Sequence, residues 1–187
     1  MHHLGGKSVN RRKVLIAGAA TAAVSALSLP ADALASVTRG KERVVALRNI
    51  HTGEETEVVY AKGGSYRYDA LSELNRVMRD WRTDETSHMD PRLFDTLWML
   101  SQKLNARRPF ELISGYRSPA TNAMLASKSD GVATKSYHMR GMAADIASPD
   151  ATLGRLRRVA LDMQAGGVGY YPRSGFVHVD VGPVRRW

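Results

Sequence analysis

With no cysteine among its 187 residues, the chain has only imidazole and carboxylate groups with which to hold a transition metal. His138 lies in Ser136-Tyr137-His138-Met139-Arg140-Gly141-Met142-Ala143-Ala144-Asp145. Gly141 permits a sharp turn there, and Asp145, seven residues on, begins to enter a strand, so the two side chains can converge. His178 lies in Phe176-Val177-His178-Val179-Asp180, where strand alternation puts His178 and Asp180 on one face and Val177 and Val179 on the other. A strand polar on one face and apolar on the other suits the wall of a cleft. Two neutral imidazoles and a carboxylate are a ligand set for catalytic zinc, with a fourth position left for water. Zinc brings the pKa of such a water toward neutrality and polarises a neighbouring carbonyl, and peptide hydrolysis needs both effects. Arg117, directly after a strand in Ser114-Gly115-Tyr116-Arg117-Ser118, could offer a guanidinium to an oxyanion or a substrate carboxylate.

Spacing leaves plainer readings open. A surface histidine near an aspartate is common, and an arginine after a strand is usually a solvated charge. His178-x-Asp180 also matches the first two ligands of a non-haem iron facial triad, although no histidine follows position 178 to complete it. The other histidines of the processed chain, His51 and His88, have no ligand partner in a matching motif and are expected to be structural or surface groups.

The elements that must position these groups follow from periodicity. Val44 to Ile50 and Thr56 to Tyr60 are β-rich and read as a hairpin turning at Gly53. Leu71, Leu74, Val77, Met78 and Trp81 form one face of a helix expected from about Asp69 to Arg82. Asp90-Pro91 then caps a second helix with an apolar stripe of Leu93, Phe94, Leu97, Leu100 and Leu104. Trp81, Phe94 and Trp98 read as packing groups. Short apolar runs at Phe110 to Ser114, Ala143 to Ala147, Val168 to Tyr171 and Phe176 to Val181 read as the strands of a small antiparallel sheet. A helix from Pro149 to about Gln164, capped by Ser148, divides them, which makes the fold class α+β.

The N-terminus reads as an address. A basic stretch ending Asn10-Arg11-Arg12-Lys13 precedes an apolar run from Val14 to Leu29 and a small-x-small site at Ala33-Leu34-Ala35. Residues 1–35 are thus expected to be a signal peptide of twin-arginine type, with Asn10 and Val14 departing from the usual residues around the arginine pair. The apolar run is shorter than the ~20 residues that a spanning helix wants, so no stable membrane span is expected after processing. Residues 36–43 suit a short lead-in, and 44–187 a single domain. The net charge of +9 favours an anionic partner. Four basic residues against Asp32 put +3 of it in the leader, and the remainder lacks the aromatic-rich basic stripe of a single-strand binder, which argues against nucleic acid.

Together, Ser136, His138, Gly141, Ala143 and Asp145, the later His178, and upstream Ser114 to Ser118 with Asn122 resemble the LAS-type zinc peptidases. That group contains lysostaphin, the D-alanyl-D-alanine peptidases such as VanX and VanY, and the hedgehog signalling domain. His51-Thr52-Gly53-Glu54, Arg79-Asp80-Trp81-Arg82 and Met89-Asp90-Pro91 bring the resemblance closer to its exported murein endopeptidase K (YcbK-like) branch. The resemblance implies the hedgehog/D-Ala-D-Ala-peptidase-like fold and Zn2+ held by His138, Asp145 and His178. It further implies Arg117 steadying substrate or oxyanion, Ser136 and Tyr116 on the substrate side, and peptidoglycan stem peptides cut at their cross-links in the periplasm. One departure follows. VanX and VanY carry an acidic base three residues before the last histidine, where this chain has Gly175. Asp180 is the substitute base, or else a partner that orients His178. A zinc-containing binding module without turnover, or a carboxypeptidase of the same fold, are the competing expectations.

Overall fold

A computed structural model describes residues 42–128 and 133–187. The expected leader and the lead-in up to position 41 lie outside the described residues.

The expected hairpin forms from β1 (Arg43–Asn49) and β2 (Glu55–Lys62). Gly53 takes a positive φ of 73° in the connection, and the buried Asn49 side chain accepts from the backbone N–H groups of His51 and Thr52. After the short β3 (Ser65–Tyr66) comes α1 (Tyr68–Val77), which stops earlier than its apolar periodicity predicts. The cause is a distant segment. The N–H of Tyr116 takes the Met78 carbonyl at 2.7 Å, and Gly115 packs so closely that a Cβ on it would lie 2.3 Å from that oxygen. The chain leaves the helix there, and Trp81 is carried away from the core rather than into it.

The second helix, α2 (Pro91–Leu104), runs as expected. The Asp90 side chain accepts from the Arg92 N–H, and Asn105 closes the helix in the left-handed region. The whole expected stripe is buried. Next come β4 (Phe110–Ser114) and α3 (Pro119–Ala126), a short helix not anticipated from periodicity but carrying its own start signal in Ser118 and Pro119. The chain continues through β5 (Ala143–Ala147), α4 (Leu153–Met163), β6 (Gly167–Tyr171), β7 (Phe176–Asp180) and β8 (Arg185–Arg186). The helix expected from Pro149 begins instead at Leu153, capped by Thr152. Asp150 is otherwise engaged: its carboxylate accepts from the backbone N–H groups of Arg107 and Arg108 and from the Arg108 side chain.

All strands join one sheet in the order β3-β2-β1-β4-β5-β7-β6-β8. The α+β class holds, with a larger sheet than the short apolar runs suggested. Most neighbours are antiparallel, but β1–β4 and β6–β8 are parallel. Leu47, Leu112, Ile146, Val177 and Val179 face a core shared with Leu74 of α1, Phe94 and Leu97 of α2, and Leu156 of α4. Burying each such side chain contributes about 1.5–3 kcal/mol. Alternation along β5 and β7 therefore turns Asp145, His178 and Asp180 to the opposite face. Among the described residues, no helix is long and apolar enough to cross a membrane.

Candidate metal centre

The centre is laid out by strand register. Asp145 on β5 lies directly opposite His178 on β7, and Ser114 on β4 flanks Asp145 on its other side. His138 arrives from a short 3-10 turn, Tyr137–Arg140, whose start is capped by Ser136 Oγ accepting from the His138 N–H at 3.3 Å. Gly141 ends that turn at φ 66°, and a Cβ there would lie 2.2 Å from the His88 carbonyl oxygen. The glycine is thus required both by its conformation and by the close approach of the chain before α2.

His138, Asp145 and His178 are all buried, and among the described residues they form the group able to hold a metal ion. His138 Nε2 is 3.2 Å from His178 Nδ1 and 3.3 Å from Asp145 Oδ1, and the last two atoms are 2.9 Å apart. Tetrahedral ligands on zinc bonds of 2.0–2.1 Å stand about 3.3 Å from one another. The three atoms are therefore already close to a zinc-binding face.

The outward nitrogens fix the tautomers. His138 Nδ1 is 2.7 Å from the Gly115 carbonyl, an acceptor only, so Nδ1 carries the proton and Nε2 presents its lone pair. His178 Nε2 is 2.9 Å from Asp180 Oδ2, which leaves Nδ1 as the ligand atom. Such outer partners orient metal-binding imidazoles. Burial opposes charge at Asp145, yet without metal the attraction and hydrogen bonds of His138, and then of His178, in their protonated forms hold its carboxyl well below the usual range. Burial likewise disfavours a charged His178, but hydrogen bonds to Asp145 and Asp180 outweigh it and raise the imidazole's proton affinity. The carboxylates draw positive charge into this spot, and a metal ion would displace the proton.

Arg117 comes to the centre as expected, with Nη2 3.6 Å from Asp145 Oδ2 and Nη1 3.5 Å from Asn122 Oδ1. Its buried Nε has no hydrogen-bond partner among the described residues. Ser136 lines the cleft beside His138. Tyr116 is not among the residues lining it: its N–H is tied to Met78, and its side chain packs against the hydrophobic core. Asp180 is also closed off. Its carboxylate accepts from His178, from the N–H groups of Gly167 and Gly182, and from both terminal nitrogens of Arg185, while only 1% exposed.

The cleft over the centre has a volume of about 780 Å³. Its walls include groups that motif spacing did not bring forward. Trp187 sets its indole 5.2 Å from the His178 ring and donates from Nε1 to the Tyr171 hydroxyl. His51, expected to be a structural or surface group, lines the cleft and stacks on Trp81 at 4.1 Å. The sequence signal for His51 and its partner Trp81 was present in His51-Thr52-Gly53-Glu54 and Arg79-Asp80-Trp81-Arg82, but it marked a resemblance, not a location, and nothing in the sequence pointed to Trp187.

Comparison with known proteins shows the family. A peptidase M15 family model described as peptidoglycan L,D-endopeptidase MepK matches residues 37–187. A relative from Escherichia coli strain K12, named peptidoglycan L,D-endopeptidase MepK, is 46% identical over 178 residues, covering 95% of this chain and 97% of the relative. One from Haemophilus influenzae, named probable peptidoglycan L,D-endopeptidase MepK, is 40% identical over 179 residues and 95% of each chain.

Proposed function

This chain belongs to the peptidoglycan L,D-endopeptidase MepK family of M15 peptidases, and from that premise we propose that it is a zinc peptidase hydrolysing the L,D peptide cross-links of peptidoglycan. The observation that carries the reading is the pair of imidazoles whose outer nitrogens are each held by a carbonyl or carboxylate, so that both lone pairs converge with Asp145. His138, Asp145 and His178 would hold the ion. When bound, zinc supplies a Lewis acid that polarises a carbonyl and acidifies water.

The protein's own residues do the rest. Arg117, largely buried beside Asp145, steadies negative charge developing on the carbonyl oxygen. Ser136 holds the turn that delivers His138 and offers its hydroxyl to the substrate backbone. Asp180 acts as the partner that orients His178, since its carboxylate is enclosed by donors and has no free face toward the cleft. Gly175 supplies no acid, and among the described residues Asp145 is the only carboxylate lining the cleft. That observation favours, as a second reading, a zinc-holding module that binds stem peptides without turnover. Residues 1–35 direct export through the twin-arginine route to the periplasm, and 44–187 form the catalytic unit.

The deciding experiment incubates mature protein, with and without chelator, with defined cross-linked muropeptide dimers and follows products by mass spectrometry. Monomers that form only with metal present support the endopeptidase and name the bond. Intact dimers alongside tightly bound zinc would favour the binding module, and release of a single terminal residue a carboxypeptidase.

A further inference from the structure

One face of β6 is bare at two alternate positions, Gly167 and Gly169. Register identifies the face as that of the metal centre, since Gly169 lies opposite His178 and Gly167 lies beside Arg185 of β8. The space is taken by side chains from the last residues of the chain. A Cβ on Gly169 would lie 2.7 Å from the Trp187 ring, and one on Gly167 would lie 2.5 Å from both Arg185 Nη1 and Asp180 Oδ2. The sequence keeps glycine at both positions where larger groups must reach across the strand.

Arg185 uses that space to grip Asp180 with two nitrogens. Nη1 donates to Oδ1 at 3.0 Å and Nη2 to Oδ2 at 2.7 Å, the forked geometry that a guanidinium offers a carboxylate. The guanidinium is itself directed. Nη1 also donates to the Pro183 carbonyl at 3.1 Å, and the guanidinium carbon lies 4.8 Å from the Tyr137 ring centroid and 5.0 Å from that of Trp187. The two oxygens of Asp180 are not held alike. Oδ1 also accepts from the N–H groups of Gly167 and Gly182. Oδ2 meets His178 Nε2 at 2.9 Å and has Arg185 as its other partner among the described residues. Without Arg185, Oδ1 would stay anchored by the backbone while Oδ2, the oxygen that orients the imidazole, could turn about that anchor.

We propose that Arg185 is a positioning residue for the metal centre: it holds Asp180 Oδ2 against His178 Nε2 and so aims the Nδ1 lone pair at the ion. The inference rests on the zinc reading and extends the centre to a residue one carboxylate removed from a ligand. Its consequence is a dependence of metal affinity on the shape of the cation as well as its charge. A lysine at position 185 would keep the charge, but its ammonium donates from a single point and cannot reproduce the fork.

The test measures the zinc affinity of mature protein by competition with a chromophoric chelator, alongside thermal melting of the metal-free form. Arg185→Met keeps an unbranched stem and removes the grip, and zinc binding is expected to weaken about 10-fold or more, as for other outer partners of a metal site. Arg185→Lys should recover part of that loss. Because Arg185 acts through Asp180, the single variant Asp180→Asn and the double variant Asp180→Asn with Arg185→Met should bind zinc within about 2-fold of each other. The double variant leaves no lone carboxylate buried, so it and Arg185→Lys decide the matter where Arg185→Met alone fails to fold. A merely structural Arg185 would lower the melting temperature and leave zinc affinity at the wild-type value, which would overturn the proposal. A loss in the double variant well beyond that of Asp180→Asn would also overturn it. Wild-type protein that takes up no zinc would instead overturn the metal reading, and the positioning role with it.

Discussion

Asp180 meets His178 across the ring edge opposite the nitrogen that faces Asp145, with Oδ2 2.9 Å from Nε2 on one side and Asp145 Oδ1 2.9 Å from Nδ1 on the other. With Nε2–H donated to Asp180, the Nδ1 lone pair is held toward Asp145 and the metal position, and a ring flip would forfeit that hydrogen bond. In Asp180→Asn, zinc affinity is expected to fall about 10- to 100-fold, as it does for comparable outer partners. Competition with a chromophoric chelator measures this directly. Activity should return when zinc is raised to saturation. A kcat that stays low under saturating metal would instead make Asp180 the proton acceptor.

Removing a ligand tests the centre without any substrate. A ligand that binds only the folded state stabilises it, by about 4 kcal/mol when present at a thousand times its dissociation constant. Zinc is therefore expected to raise the melting temperature of the wild-type protein and to leave that of His138→Ala or His178→Ala nearly unchanged. Equal zinc-induced shifts in all three proteins would place the metal somewhere other than between His138, Asp145 and His178.

The metal-facing residues were legible because each comes from a short motif with a strand or a tight turn to aim it. His138 and Asp145 are joined by one turn ending at Gly141, and His178 sits on a strand whose alternation reads directly from the sequence. The end of α1 was not legible. Its apolar period runs on to Trp81, and only the approach of Gly115 and Tyr116, distant in sequence, takes the chain out of the helix at Met78. The placing of Trp81 and Arg82 beside the cleft depends on that exit, and so does the stacking of His51. Tyr116 was misplaced for the same reason. It lies in a recognisable motif, but its position is set by a partner on another element.

Gly115 joins the two halves of that problem, since it packs against Met78 and its carbonyl accepts from His138 Nδ1. In Gly115→Ala the new methyl would meet the Met78 carbonyl, and overpacking of this kind costs about 1–3 kcal/mol. Urea unfolding of the metal-free protein should show that loss. A separate zinc titration should show weaker binding, because the shifted carbonyl no longer orients His138. Wild-type affinity in this variant would mean that the Gly115 carbonyl is not what fixes the imidazole.

Far from the cleft, a second network gives the fold a pH limit on the alkaline side. The hydroxyls of Tyr60 and Tyr66 each donate to Asp95 at 2.7 Å, and Arg43 pairs with the same carboxylate. Burial first, and the hydrogen bond to Asp95 second, push Tyr66 up to about 12 and Tyr60 beyond the usual range for a phenol. In the unfolded chain both titrate near 10, a typical tyrosine value. The native state thus binds these protons more tightly, so the stabilisation is complete below about pH 10 and is lost as pH climbs toward 12. Tyr66→Phe removes one of the two protons from this linkage along with a hydrogen bond to a charged group. The variant should be less stable than wild type near neutrality, and the gap between them should close between about pH 10 and 12. Urea midpoints measured across that interval decide the matter. Parallel curves would show that the Tyr66 hydroxyl is no more reluctant to ionise in the folded protein than in the unfolded chain.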